Sequence, residues 1–542
     1  MELLQAELDL LPGPNRLGVE QVLESATDGL RFELAALVDA RAPFTFPADQ
    51  DTAFTNLRKR ANLSVFYQVL EEEWRECLYE DLRVSITPAG RILLKPNDAQ
   101  RAENQAVGMH RKAAVSLELL VHSVALLRQQ PRNALKGHLG IRQSGSGKDK
   151  RYIVAELSDG DAVELLAARM GAAEPDLEPF ALEPLPNFAG LTVSELLDVW
   201  SSLMPLADDL VNGLRIPQAT RSVQAIEQMA PVLKTKDLRK PIQKCTGLSS
   251  EKCVVALEAM TWRNRHDSLW HRPLVRLDSS RVVPVLPALI SPNLQRSVEY
   301  WLKEGGIDLG ARGGRYERHV RKEMCDAVKN NSVLDDAGAV PTEITPPDLA
   351  VGNIDLLFWI GGTIVVTEIK CLLRPATAYD WFLYENRVRE AVSQAHRKAD
   401  YVRANPGWLD ESIHLHGKIR SGQRTVLPCV LLNSPVGALR TVSNVPIVDL
   451  LILSRYLGEG FGLLNSVSDD RSSGTRIQFY STCCEAEERL AAFLKEPEHL
   501  QMYRQSVQWD VVYQPSFHLQ PEWISRLFPK IVIPSPLSSA PG

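Results

Sequence analysis

The stretch NIDLLFWIGGTIVVTEIK, Asn353–Lys370, joins two apolar runs through Gly361-Gly362. Both runs are rich in β-branched and aromatic residues, and a Gly-Gly pair between two such runs marks a two-residue hairpin turn. Counting outward from the glycines pairs Ile360 with Thr363 and Asp355 with Glu368. The second pair falls on a non-hydrogen-bonded rung, where Cβ atoms lie about 4.5–5.5 Å apart. Lys370 lies two residues beyond Glu368 and so shares its face. Carboxylates that close repel, and one pKa rises unless a cation lies between them. A divalent metal meets that demand. Lys370 beside it would orient or deprotonate a water, or stabilise charge on a phosphate.

The surroundings of the hairpin mix helices and strands. Tyr316–Asn330 has helical spacing in Tyr316, Val320, Met324 and Val328. Glu385–Arg403 reads as a helix, TVLPCVLLN (residues 425–433) as a buried strand, and VPIVDLLILSRYL (residues 445–457) as a strand running into a helix. Elements in that order predict an α/β layer domain.

An Asp on one strand and Glu-x-Lys on the next resembles the PD-(D/E)xK nuclease superfamily, over roughly residues 311–460. Glu368-Ile-Lys370 is the single acidic-x-Lys triplet in the chain. The resemblance implies a restriction-endonuclease-like core with a central mixed sheet, TVLPCVLLN being its fourth strand. It also implies a glutamate on the preceding helix, matched by Glu317, and a glutamine on the following one, matched by Gln394, with Lys398 and Tyr401 farther along that face. The proline that precedes the family's aspartate is missing, since Ile354 precedes Asp355; a literal Pro347-Asp348 upstream makes Asp348 the rival ligand. The hairpin register favours Asp355. Mg²⁺ or Mn²⁺ would then be held by Asp355, Glu368 and the Ile369 carbonyl, with help from Glu317. Lys370 would position the water, and Gln394 would fix the site or touch the phosphate.

The rest of the 542-residue chain exceeds one ordinary core. Residues 1–172 read as a mainly helical domain, with Asn104–Leu127 its longest helix and a phosphate-loop-like GSGK at Gly145–Lys148 whose spacing fails. Acidic, proline-rich residues 173–190 read as a linker. Residues 191–310 form a helical region with a hairpin (residues 273–286), entered through a capping box at Thr192 and Glu195. Residues 461–542 are a C-terminal extension. The α/β class therefore belongs to a multi-domain chain, a mainly helical N-terminal region followed by the nuclease-like core.

Net charge is −6, so any grip on a polyanion must be local. Basic residues concentrate at Arg128–Arg151, at Lys234–Lys244 (read as a loop) and at Arg312–Lys329, where Arg312, Arg315 and Arg321 would face nucleic acid together with Lys398. The eight cysteines form no CxxC pair, Cys483-Cys484 reading as a buried reduced pair, and no apolar run reaches membrane-spanning length. With no basic n-region at the start, a cytoplasmic location is expected, without membrane attachment. His319, His396, Trp262 and Trp270 read as surface or packing residues. The expectation is a metal-dependent endonuclease, acting on DNA, which the resemblance places in antiphage defence or restriction. It would act as a homo-oligomer or with a partner ATPase or helicase, because no Walker motif is present. An inactive nuclease-like scaffold and an RNA-directed nuclease are the rivals.

Overall fold

The computed structural model describes residues 27–36, 49–79, 82–88, 92–112, 139–145, 151–157, 180–213, 223, 230–264, 267–290, 294–308, 310–373, 375, 377–413, 419–420, 424–468, 471–513 and 524–531. The architecture is mixed α/β, with several sheets flanked by helices. The chain divides into two compact units. One comprises Met1–Trp74, Ser116–Leu309 and Tyr513–Ser525; the other comprises Arg75–Val115, Gly310–Val512 and Arg526–Gly542.

In the first unit, helices Val193–Gly213, Thr235–Thr246, Ser250–Ala259 and Leu294–Glu304 share one apolar core. The capping box at the head of the first is formed: Thr192 N–H donates to Glu195 Oε2 at 2.8 Å, and Glu195 N–H to Thr192 Oγ1 at 3.1 Å. The expected hairpin is present as Leu274–Arg276 paired with Arg281–Pro284. Two expectations change here. Residues 180–190 are not an open linker, because Phe180, Leu185 and Phe188 are buried in the core. Lys234–Lys244 is not a basic loop: helix Thr235–Thr246 takes up all of it but Lys234, since Leu238 and Ile242 recur at helical spacing and are fully buried. Trp262 and Trp270 are packed residues. Most of Asn104–Leu127 beyond residue 112, most of Arg128–Arg151 and the GSGK segment after Gly145 lie outside the described residues.

The second unit carries the hairpin. Helix α1 (Ala311–Asn330) precedes β1 (Ala337–Ala339), β2 (Leu356–Ile360) and β3 (Thr363–Lys370). There follow α2 (Ala378–Ala404), α3 (Pro406–Ile413), β4 (Thr425–Leu432), β5 (Arg440–Val442) and β6 (Val445–Asp449), the last running into α4 (Leu450–Ser454). The six strands lie in the order β5-β6-β4-β3-β2-β1. Strands β1 to β3 run antiparallel, whereas β4 runs parallel to both β3 and β6.

This sheet is buried on both faces, which explains why its strands read as continuous apolar runs. Leu356, Phe358, Ile360 and Val365 enter the core that holds Val320 and Met324 of α1. Leu357, Trp359, Ile364 and Val366 enter another with Ala399 and Val402 of α2. Alternate residues of one hairpin thus anchor opposite layers. Helix α2 starts earlier than its apolar spacing suggests, at a capping box between Thr377 and Asp380. The described part of residues 471–512 is no separate extension: Phe479 and Phe493 pack on Tyr456, with ring centroids 6.0 and 4.3 Å away. Strands Leu82–Ile86 and Ile92–Pro96 likewise leave the N-terminal region and form a four-stranded sheet with Val507–Tyr513 and Ile524–Ile531. Of the adjacent cysteines Cys483 is buried and Cys484 exposed, because neighbours on a helix point about 100° apart.

Candidate functional site

The turn sets the site's register. Ile360 pairs with Thr363 and Leu356 with Thr367, so Asp355, one residue before β2, stands opposite Glu368. Gly361 adopts φ 58°, the positive value that the first position of a type II′ turn requires. A Cβ there would also run into the carboxylate of Glu487, which accepts the Gly362 N–H at 2.7 Å.

The two carboxylates do converge. Asp355 and Glu368 are buried, at 9% and 3% exposure. Asp355 Oδ2 accepts the Ile369 N–H at 2.9 Å. Its Oδ1 accepts Lys398 Nζ at 3.1 Å, and the same ammonium donates to Glu368 Oε2. Glu368 Oε1 accepts Lys370 Nζ at 2.6 Å, and Lys370 is partly open to solvent. The cation between the carboxylates is therefore Lys398, itself 4% exposed. Burial pushes the Asp355 carboxyl up to about 6; Glu368 adds to the rise and Lys398 and the Ile369 N–H oppose it. Glu317 also raises it, and lies 3.9 Å from Arg321 Nη1.

Each expected residue has a definite place. Asp355, Glu368 and Lys370 are together, with Glu317 on the adjoining helix. The Ile369 N–H points to Asp355, and an extended residue presents N–H and C=O on the same edge, so its carbonyl opens on that side too. Gln394 lies one turn before Lys398 on α2, its Oε1 buried without a hydrogen-bond partner among the described residues. Asp348 is exposed, and its Oδ1 accepts the Ala350 N–H at 3.0 Å within a turn.

The nucleic-acid-facing set is largely relocated. Arg312 is buried and donates to the Cys371 carbonyl at 3.0 Å; Arg321 is buried and donates to the Asp355 carbonyl at 2.7 Å. Lys398 is inside the site, and Arg315 is half-buried. Counting charge along α1 does not tell which side of the helix bears it. Arg318, Lys322 and Lys329 are its exposed cations. His319 stays at the surface, 3.2 Å from Glu323, and His396 meets the Ser443 carbonyl at 2.8 Å.

Two roles escape sequence reading: Arg321 as a clamp on the Asp355 backbone, and Lys398 as a bridge. A signal for the second exists. Lys398 interrupts the buried stripe Ala391, Ala395, Ala399 and Val402, and a lysine on an apolar stripe must find a carboxylate.

Whether the residues fit a hard divalent ion follows from this geometry. No group of three His, Cys, Asp or Glu side chains is placed to hold a metal among the described residues. Asp355 Oδ1 and Glu368 Oε2 nonetheless aim at one point, and Mg²⁺ commonly takes one or two carboxylates and completes its shell with water. The pair fits such an ion. No protein-family model, curated protein or solved structure matches this chain.

Proposed function

We propose that this chain is a metal-dependent nuclease whose site is built on Asp355, Glu368 and Lys370, with DNA as the substrate. The observation that carries the reading is the buried, convergent pair of carboxylates at a strand end, with a partly exposed ammonium on the outer oxygen of Glu368. The order helix, three antiparallel strands, helix and parallel strand also agrees with the resemblance to PD-(D/E)xK nucleases. Asp355, Glu368 and the Ile369 carbonyl would hold a divalent metal, which when bound supplies charge neutralisation on a phosphate and an acidified water.

The chain's own groups have separable tasks. Lys370 is tethered to Glu368 Oε1, so its remaining N–H bonds can orient a water or a phosphate oxygen without wandering. Arg321 fixes the backbone of Asp355 from α1, and the Ile369 N–H fixes its Oδ2. Those contacts position a carboxylate whose pKa burial raises. Action with a partner ATPase, and a role in defence, rest on the resemblance alone.

The test is incubation of the purified chain with plasmid, linear DNA and RNA, in Mg²⁺ or Mn²⁺ and in EDTA. Metal-dependent cleavage that Glu368→Gln and Lys370→Ala each abolish, in folded protein, supports the reading; full activity in either variant removes the site from this hairpin. One observation favours a second reading, an inactive scaffold: Lys398 already satisfies both carboxylates. Absence of Mn²⁺ binding by calorimetry would favour it.

A further inference from the structure

Lys398 places a positive charge at the point where the two carboxylates converge, and the chemistry proposed above gives it no reason to be there. Its ammonium contacts Asp355 Oδ1 at 3.1 Å and also Glu368 Oε2. The other oxygen of each acid is taken by the Ile369 N–H and by Lys370. A divalent ion using Asp355 Oδ1 and Glu368 Oε2 would stand where Nζ stands, and two cations cannot share that place. We propose that Lys398 is the resident counter-ion of this site, and that divalent metal enters by exchange with its ammonium, which turns toward Gln394. The proposal rests on reading the Asp355–Glu368 pair as a metal centre.

The sequence of α2 provides the route. Lys398 carries its charge on a flexible four-carbon stem, unlike the rigid fork of an arginine. Side chains on a helix lean toward its N-terminus, and residues four apart are neighbours, so the stem of Lys398 lies over the turn that bears Gln394. The Gln394 Oε1 is buried and has no hydrogen-bond partner among the described residues. An amide oxygen left in that condition is costly, and it is an acceptor of the right kind for an ammonium leaving the carboxylates. Gln394 is thus a positioning residue that acts through Lys398. Without metal, Lys398 keeps the two carboxylates folded in; with metal, it remains one turn away, inside the site.

The test measures Mn²⁺ affinity of the full chain by isothermal calorimetry, for wild type, Lys398→Met, Gln394→Leu and the double variant. Removing the competing ammonium should tighten Mn²⁺ binding by about tenfold, the low end of what neighbouring groups do to a metal site. Gln394→Leu should weaken it, because the displaced ammonium loses its acceptor. In the double variant the Gln394 effect should vanish, a non-additivity that a merely structural lysine would not produce. Equal or weaker Mn²⁺ binding in folded Lys398→Met overturns the exchange. If that variant does not fold, unchanged affinity in Gln394→Leu overturns it instead. Absence of binding in wild type, or binding that Asp355→Asn leaves intact, overturns the metal-centre reading itself and the exchange with it.

Discussion

Replacing Asp355 by Asn should stabilise the metal-free protein while destroying the site. Asp355 is 9% exposed, and burial together with Glu368 pushes its carboxyl up to about 6 from the ordinary 3.8. The protonated acid's contribution to stability is full below about pH 4 and is lost as pH rises through about 6, because the unfolded chain gives up that proton first. At pH 7.5 the ionised form therefore costs about 3 kcal/mol. Asn keeps an acceptor for the Ile369 N–H and leaves Lys398 in a balanced pair with Glu368, but its NH2 then faces the ammonium and cannot accept from it, which offsets part of the gain. The net gain should be about 1–2 kcal/mol, roughly 2–8 °C in Tm for a unit of this size. Thermal melts in EDTA from pH 4 to 8 read it: the variant's advantage should be present at pH 7.5 and shrink toward pH 4. Millimolar Mn²⁺ should reverse the order, since only the wild type gains from binding. An Asn variant less stable than wild type at pH 7.5 in EDTA, or an advantage independent of pH, would refute the electrostatic account of this site.

Three further outcomes follow from neighbouring residues. Asp348→Asn should leave cleavage and Mn²⁺ affinity unchanged, because its carboxylate is exposed and engaged in its own turn; loss of either property in a folded variant would point to Asp348 as the ligand after all. Gly361→Ala should lower stability by about 1–3 kcal/mol in urea unfolding, as it meets both a positive φ and the Glu487 carboxylate. Reversing Arg318 and Lys322 to Glu should weaken DNA binding and flatten its salt dependence by about 0.9 for each phosphate no longer neutralised, with Mn²⁺ affinity unchanged; an unaltered salt slope would exclude this side of α1 as the DNA-facing surface.

The hairpin was legible because turn chemistry specifies it: the runs are apolar on both faces, so the glycines set the register, and a slip of one residue would exchange the layers that Phe358 and Trp359 enter. The proximity of Asp355 and Glu368 followed from that register. What escaped had a common cause, charge counted along the chain without regard to facing. Lys234–Lys244 passed for a loop because five cations mask the helical spacing of Leu238 and Ile242. Arg312 and Arg321 passed for a phosphate-binding surface, yet both are buried and donate to backbone carbonyls, those of Cys371 and Asp355. Residues 180–190 passed for a linker because the proline and glutamate of the whole 173–190 stretch mask Phe180, Leu185 and Phe188, which are buried.

The distribution of charge bears on whether this site is structural. An ion pair kept for stability needs one acid for one base, and even then a hydrophobic replacement is often as good. Here two buried carboxylates share one buried ammonium, and a third, Glu317, raises the demand on Asp355 from the next helix. Lys370 does not complete the balance, since it binds the outer oxygen of Glu368 and leaves Asp355 dependent on half of Lys398. Arg321 lies close enough to help, but its guanidinium is directed to the Asp355 carbonyl and not to its carboxylate. An asparagine at position 355 would satisfy the Ile369 N–H without adding a second buried negative charge, at the loss of the acceptor that Asp355 offers Lys398. A carboxylate held above its ordinary range with its cation on a movable stem makes physical sense where a second, stronger cation is meant to arrive.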